Sequence, residues 1–356
     1  MAARDLIAEL ARIVGDRHVR TDPDDLAGVV VDWTGRYRGD ADALVRPGDV
    51  AQTAAIVSTC RRAGVPVYTQ GGNTGMVAGA VPHRPGIVLA ISRLDQVGTV
   101  DHGQLEAGAG ATLAAVGAAA REAGWRYPVD LAARDTATIG GTVATNAGGV
   151  HVVRHGMTRA HVVGIECITG TGAVLRDMRG LAKDNTGYHL PSLLCGSEGT
   201  LAVITAARLR LVPPEPDQAT ALVPVADNAD AVDLGLRLAR LPDIAAVEYV
   251  RADGCDLVAR HLGRPSPLAG AAAGLVVEVE GPDGVIDRLA AVLDDRNALV
   301  ASSRLDRQRL WQWRERHSEV LATLGTVHKL DVTVPARHLR RFLDTVDGCI
   351  EESPPI

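Results

Sequence analysis

Thr136-Ala-Thr-Ile-Gly-Gly-Thr-Val-Ala-Thr-Asn-Ala-Gly-Gly149 is the stretch on which the fold turns. Hydroxyl and amide side chains alternate with glycines across it, giving far more access to the backbone than a connecting turn requires. Read as a buried loop, it must find partners for its N–H and C=O groups, and a large polar cofactor is one way to supply them. Two neighbours share this character. Gln70-Gly-Gly-Asn-Thr-Gly-Met76 follows directly on the apolar run Val65-Pro-Val-Tyr-Thr69. Closely spaced glycines at a strand end let successive N–H groups converge on an anion. Cys195-Gly-Ser-Glu-Gly-Thr-Leu-Ala-Val-Ile204 is a glycine turn running into a strand. None of the three carries the Gly-Lys-Ser/Thr of a Walker loop or the Gly-x-Gly-x-x-Gly order of a nicotinamide fingerprint. Any one alone reads equally well as a turn without a ligand, but three in one region imply a long ligand.

Outward from these segments, the chain alternates compact strand and helix signals. Leu6, Ile7, Leu10, Ile13 and Val14 recur at helical spacing and predict an amphipathic helix over Ala3 to Val14. Strands are predicted at Ala43 to Arg46, Val65 to Thr69, Gly86 to Ile91, Gln104 to Ala109, His161 to Ile168, Ala173 to Leu175 and Leu201 to Leu211. Helices are predicted at Val50 to Ala63 and Thr112 to Ala123. Pro213-Pro-Glu-Pro216 reads as a stiff linker, because consecutive prolines forbid helix and remove ladder donors. The domain boundary falls there, giving domains 1–215, with a core of about 40–212, and 216–356. The second domain continues with strands at Thr220 to Val225, Ala245 to Val250, Leu275 to Glu280, Leu299 to Ser302 and His328 to Val334. Its helices are predicted at Asn228 to Arg240, Asp253 to His261, Asp283 to Leu293 and, as one long helix, Asp306 to Leu324, before a final one.

Bulk properties exclude several classes. With 356 residues the chain exceeds what one core usually organises. A net charge of -6 without a long basic run leaves no footprint for nucleic acid, and no window approaches a membrane span. The five cysteines lie far apart without a Cys-x-x-Cys pair, which argues against a zinc ribbon or a disulfide framework and fits a reducing cytoplasm.

The three glycine-rich segments resemble those of the flavoproteins grouped with vanillyl-alcohol oxidase and p-cresol methylhydroxylase. The closest likeness is to the branch holding D-lactate and D-2-hydroxyglutarate dehydrogenases and the FAD subunit of glycolate oxidase. The resemblance runs from about Ala43 to Leu343. It implies an α+β fold, with a two-part FAD-binding domain of p-cresol methylhydroxylase type and an α+β cap that closes over the flavin and selects the substrate. Gly71, Gly72, Asn73, Thr74 and Gly75 match the segment that wraps the FAD pyrophosphate. Pro128, Asp130, Thr138, Ile139, Gly140, Gly141, Thr145, Asn146 and Gly149 match the flavin and ribityl lining. Gly156 occupies the usual Arg/His-Gly position, and Glu198, Gly199, Val203 and Ile204 complete the adenine and ribityl side. Relatives that anchor FAD covalently use a histidine where this chain offers Asn73, so non-covalent FAD is implied; His83 sits among prolines nearby. Lys183 to Leu190 matches a signature that stabilises the flavin domain without doing chemistry.

Arg314 and Ser318 stand four apart on the predicted long helix and share a face. A guanidinium and a hydroxyl grip a carboxylate well, although on so arginine-rich a helix a solvated arginine is the ordinary reading. The resemblance assigns Arg314, Ser318 and Lys329 to the D-2-hydroxy acid. It implies oxidation at the hydroxyl-bearing carbon, with a proton leaving to a base and hydride to flavin N5. Relatives continue into a segment whose histidines and glutamate bind a divalent metal and supply that base. Nothing like His-x-Gly-x-Gly-Asn follows Pro335, so no catalytic residue or metal ligand is assigned. The cap is expected to be shortened at its C-terminus; His317, His328 and His338 read as surface or packing residues. Two readings stay open: an FAD-dependent 2-hydroxy-acid dehydrogenase, and a catalytically incomplete FAD-binding subunit that needs a partner chain. Homodimer or partner subunit and the identity of the electron acceptor are equally open. A reductase of the peptidoglycan-precursor type shares the flavin domain, but the Arg314 to Pro335 segment argues against it.

Overall fold

The computed structural model describes residues 3–293, 296–325, 327 and 330–350. It divides into two compact units, Met1–Pro214 and Glu215–Ile356.

The first unit opens with helix α1 (Ala3–Val14), and its first sheet holds β1 (Val19–Arg20), β2 (Ala43–Val45), β3 (Val67–Gln70) and β4 (Ile87–Ala90). Their order is β1-β2-β4-β3, with β2 and β3 both parallel to the central β4 and β1 antiparallel at the edge. Short helix α2 (Pro23–Leu26) follows β1, and α3 (Val50–Ala63) joins β2 to β3. Both ends of α3 are written locally: the Asp49 carboxylate accepts from Gln52 N–H at 2.7 Å, and Gly64 closes the helix at φ 69°. Because β3 is parallel to β4, the Gln70–Gly75 segment leaves the sheet at its C-terminal edge, where parallel sheets present ligand sites.

The second sheet contains β5 (Gln104–Gly108), β6 (Val162–Thr169), β7 (Val174–Asp177) and β8 (Ala202–Arg210), in the order β5-β8-β6-β7 with every pair antiparallel. Helices α4 (Leu113–Glu122), α5 (Ile139–Thr145), α6 (Val152–His155) and α7 (Leu190–Leu194) connect it. One core serves both sheets: Leu6 and Leu10 of α1, Ile56 of α3, Leu89 of β4, Leu105 of β5, Ile139 of α5, Ile165 of β6 and Leu209 of β8 belong to a single buried cluster.

The second unit is one antiparallel sheet, β9 (Asp217–Val225), β10 (Ile244–Arg251), β11 (Ala273–Gly281) and β12 (Leu299–Ala301), ordered β10-β11-β9-β12. Helices α8 (Asn228–Leu238) and α10 (Val285–Leu293) pack Leu234, Leu238, Leu289 and Leu293 onto the face carrying Ala221, Val223, Leu275 and Val277. The opposite face carries Thr220, Glu248 and Glu278 and meets α11 (Arg304–Glu315). Helices α9 (Ala252–Leu262), α12 (His317–Leu324) and α13 (Leu339–Ile350) complete the unit.

The chain departs from its sequence expectations in three places. The Thr136 to Gly149 stretch is not a continuous loop, since α5 occupies its middle. The single helix expected over Asp306 to Leu324 is two, α11 and α12, interrupted at Arg316. His317 Nδ1 bonds the Arg314 carbonyl at 3.1 Å, a side-chain interaction that competes with the regular helical ladder. Of the strand expected over His328 to Val334, His328 and Lys329 lie outside the described residues, and 330–334 form no strand. Burial pushes the thiols of Cys60, Cys167 and Cys255 up to about 11, which suits them to packing and not to nucleophilic chemistry. Among the described residues, no helix is long and apolar enough to cross a membrane.

Leu89→Ala, at a fully buried site in the middle strand, is expected to cost about 2–5 kcal/mol in urea melts. Leu236→Ala, on an exposed face of α8, is expected to cost under about 0.5 kcal/mol. Arg296 grips Asp230 through both Nη nitrogens at 2.5 and 2.9 Å, and this guanidinium holds the Asp230 carboxyl below the usual carboxylate range. A carboxyl depressed on folding stabilises above its unfolded pKa and loses that contribution as pH falls through its folded value. The stability gap between wild type and Arg296→Ala should therefore be full at neutral pH and close below about pH 4 in pH-dependent melts.

Candidate functional site

The three glycine-rich segments of the first unit come together backbone to backbone. A Cβ placed on Gly72 would lie 1.9 Å from the Thr136 carbonyl oxygen, and one on Gly71 would lie 2.4 Å from Thr138 Oγ1. Gly149 packs as tightly on the Asp130 carbonyl, at 1.9 Å from a built Cβ. Gly72 and Gly149 are therefore required by close approach of main chain to main chain, and Gly71 leaves room for the Thr138 hydroxyl. The third segment is locked to the second by Gly196 N–H to the Val143 carbonyl and Glu198 N–H to the Ala144 carbonyl, both at 2.9 Å. Asn146, left-handed at φ 49°, closes α5 and accepts at Oδ1 from Arg159 N–H at 2.9 Å, while Arg159 Nη2 donates to the Cys195 carbonyl at 2.6 Å.

Helix α5 explains how so glycine-rich a stretch is ordered. Thr138 Oγ1 accepts from Gly141 N–H at 3.3 Å as its N-cap, and Ile139 and Val143 enter the core. A Cβ on Gly140 would meet Ala109 Cβ and Ile91 Cδ1 at 2.7 Å, so the glycine lets the helix sit directly on the β4 and β5 ends. Most polar groups expected to need a ligand are thus satisfied within the protein.

The longest run of exceptions is in the first segment. Among the described residues, the backbone N–H groups of Gly71, Gly72, Asn73, Thr74 and Gly75 have no acceptor, and neither do those of Thr138, Gly148, Gly149 and Gly199. Asn73, itself left-handed at φ 51°, turns its side chain away to donate to the Val31 carbonyl at 2.8 Å, and Gln70 does the same to Val29 at 2.9 Å. These two amides fix the segment from behind and leave its N–H row presented. That anchoring role has no signature in local spacing. A run of unpaired N–H groups at a sheet edge suits a phosphate-bearing ligand, and Val152 and Met157 beside Gly148 add apolar surface.

The remaining expected residues are distributed around this cradle. Pro128 is buried, Asp130 is paired with Arg134 at 2.7 Å, Thr145 donates to the Gly141 carbonyl at 3.0 Å, and Gly156 ends α6 at φ 76°. Glu198 and Gly199 are both left-handed. Val203 and Ile204 bury their side chains in the core. His83 packs its ring edge-on against Tyr68, with centroids 5.3 Å apart. The Lys183 to His189 segment is exposed, with Tyr188 at 90%, and Asp184 pairs at 2.8 Å with Arg179, which also pairs with Asp177 at the end of β7.

In the second unit, Arg314 lies on α11, half-exposed, and its Nε–H donates to Glu248 Oε2 on β10 at 2.8 Å. Ser318 is exposed at the start of α12, just past the α11–α12 boundary at Arg316. Lys329 lies outside the described residues. Glu248 was missed from the sequence, although a lone carboxylate inside the apolar run Ile244 to Val250 was a usable signal.

A row of backbone donors at a sheet edge, in a unit whose two sheets share one core, suits a long ligand that carries phosphates. Residues 41–177 match the FAD binding domain model and 215–354 match the FAD linked oxidases C-terminal domain model. The chain is 37% identical to a mitochondrial D-2-hydroxyglutarate dehydrogenase of Bos taurus over 97% of its length and 65% of that protein. It is 32% identical to the D-2-hydroxyglutarate dehydrogenase of Xanthomonas citri pv. viticola over 98% of its length and 76% of that protein. It spans 62% of the rat and zebrafish (Danio rerio) relatives. Among solved structures, an alkyldihydroxyacetonephosphate synthase superposes with a TM-score of 0.79 at 16% identity, covering 99% of this chain and 76% of that one. A substrate-bound p-cresol methylhydroxylase gives 0.69 at 17% identity, covering 88% and 72%. The chain belongs to the FAD-linked oxidases of the p-cresol methylhydroxylase fold, and its cofactor is FAD.

Gly72→Val is expected to abolish FAD retention, read as the ratio of flavin to protein absorbance after purification. Gly28→Ala, which adds a Cβ with nothing within 4 Å, should leave that ratio unchanged.

Proposed function

We propose that this chain carries FAD non-covalently and takes part in oxidising a D-2-hydroxy acid to the 2-oxo acid. The D-2-hydroxyglutarate dehydrogenases among its relatives support the substrate class. In this reading the N–H groups of Gly71 to Gly75 hold the pyrophosphate, and Thr138 to Gly149 with Glu198 and Gly199 enclose the rest of the cofactor. No histidine lies in the pyrophosphate segment, and His83 is engaged with Tyr68, which supports a cofactor held without a covalent bond.

The observation that carries the substrate reading is Arg314. Its guanidinium is tied at Nε, while its Nη nitrogens have no acceptor among the described residues. A fixed cation with its terminal fork open is a carboxylate receptor. Ser318 and Lys329 belong to the same proposal as further donors. FAD, when bound, accepts the hydride from the substrate carbon. The protein's part is to hold the carboxylate so that the carbon bearing the hydroxyl is presented in one orientation, while the hydroxyl proton leaves to a base. The five free cysteines fit a reducing compartment, whether the cytoplasm or the mitochondrial setting named for several relatives.

Anaerobic addition of a D-2-hydroxy acid should bleach the flavin absorbance, and Arg314→Ala should raise the acid concentration needed by about 10- to 100-fold, the worth of one charge-assisted contact. An unbleached wild-type flavin across a panel of D-2-hydroxy acids, or an unchanged concentration dependence in Arg314→Ala, would contradict the reading.

A further inference from the structure

Helix α11 is fastened to the polar face of the second unit's sheet at two points one helical turn apart. Trp311 Nε1–H donates to Glu278 Oε2 at 2.5 Å, and Arg314 Nε–H donates to Glu248 Oε2 at 2.8 Å. The two carboxylates stand on neighbouring strands, Glu248 on β10 opposite Val276, and Glu278 on β11 opposite Ala246. The contacts look alike in the sequence and differ in their surroundings. Glu278 is buried and also accepts from Thr220 Oγ1 at 3.2 Å, so its contact with Trp311 belongs to the packed interior. The other pair lies at the rim: the Glu248 side chain is 27% exposed and that of Arg314 is 42% exposed.

We infer that Glu248 is a positioning residue for Arg314, fixing the guanidinium so that a substrate carboxylate is received end-on by the two Nη nitrogens. This rests on the functional reading given above. A guanidinium offers two forks to a carboxylate, the side-on fork of Nε with one Nη and the end-on fork of the two Nη nitrogens. Glu248 engages Nε and so closes the side-on fork. What remains is the end-on fork, whose plane is set by the Glu248 bond and by the covalent rigidity of the group. Pre-orientation lowers the entropy lost when substrate binds, because an arginine side chain has many rotamers to surrender. Glu248 also fixes the direction from which the carboxylate arrives, and with it the placement of the adjacent carbon.

The consequence is a split between binding and turnover that a packing role would not give. In the FAD-loaded full chain, Glu248→Ala should raise KM for the D-2-hydroxy acid by roughly three- to tenfold while kcat changes little, the scale set by one immobilised side chain. The dissociation constant of oxalate, a non-reacting dicarboxylate read by perturbation of the flavin spectrum, should rise in parallel. Glu248→Gln keeps an acceptor oxygen for Nε and should recover most of both losses. Glu278→Gln, at the interior contact, should lower the melting temperature and leave KM and the oxalate constant alone. The inference is overturned if Glu248→Ala leaves both constants unchanged, if it lowers only the melting temperature, or if Glu248→Gln is as impaired as Glu248→Ala. A wild-type protein whose flavin responds neither to the acid nor to oxalate overturns the functional reading, and the role of Glu248 with it. A responsive wild type with an unresponsive Glu248→Ala contrast removes the role of Glu248 alone.

Discussion

Backbone N–H groups that have no acceptor in the folded chain must be met by water or by a ligand, and this requirement organises the first unit. From Gly71 to Gly75 the row of donors is unpaired among the described residues, and everything around it serves to keep it so. The parallel pairing of β3 on β4 delivers the segment to the sheet edge. Gln70 and Asn73 pin it from behind to the carbonyls of Val29 and Val31. Gly72 and Gly71 allow Thr136 and Thr138 to approach within distances no side chain would tolerate. In the proposed function this row of donors receives the FAD pyrophosphate.

The second unit follows a different principle. Its sheet buries one face under α8 and α10 by ordinary alternation, whereas the other face places carboxylates where an apolar residue would be the simpler choice. Buried Glu278 and rim-lying Glu248 each receive a donor from α11, and a buried polar group without such a partner would be costly. Polar fastening gives the helix a defined register on the sheet, and the register decides where Arg314 stands.

Much of this was legible in the sequence. Hydrophobic periodicity placed α1 at its observed bounds, and the strand and helix alternation punctuated by proline and glycine placed α3. The glycine-rich segments were recognisable as a group because their composition has no use in an ordinary turn. What escaped was context. Gly140 and Gly141 argue against a helix by about 1 kcal/mol each, yet α5 forms because Thr138 caps it, Ile139 and Val143 fill the core, and Gly140 lets it lie against Ala109. The interruption at Arg316 depends on the His317 ring reaching the Arg314 carbonyl, with Gly254 leaving room for that ring. Neither contact has a signature in local spacing. Arg314 was visible by resemblance, but its pairing with Glu248, 66 positions earlier in the chain, belongs to tertiary structure.

In the proposed function the N–H row of Gly71 to Gly75 anchors FAD. Titration of the purified, flavin-stripped chain with FAD, followed by quenching of flavin fluorescence, tests this most directly. Saturation at one FAD per chain is expected, with inorganic pyrophosphate competing for the same site. A chain that shows no saturable binding, or one whose FAD binding is indifferent to pyrophosphate at any concentration, would contradict it.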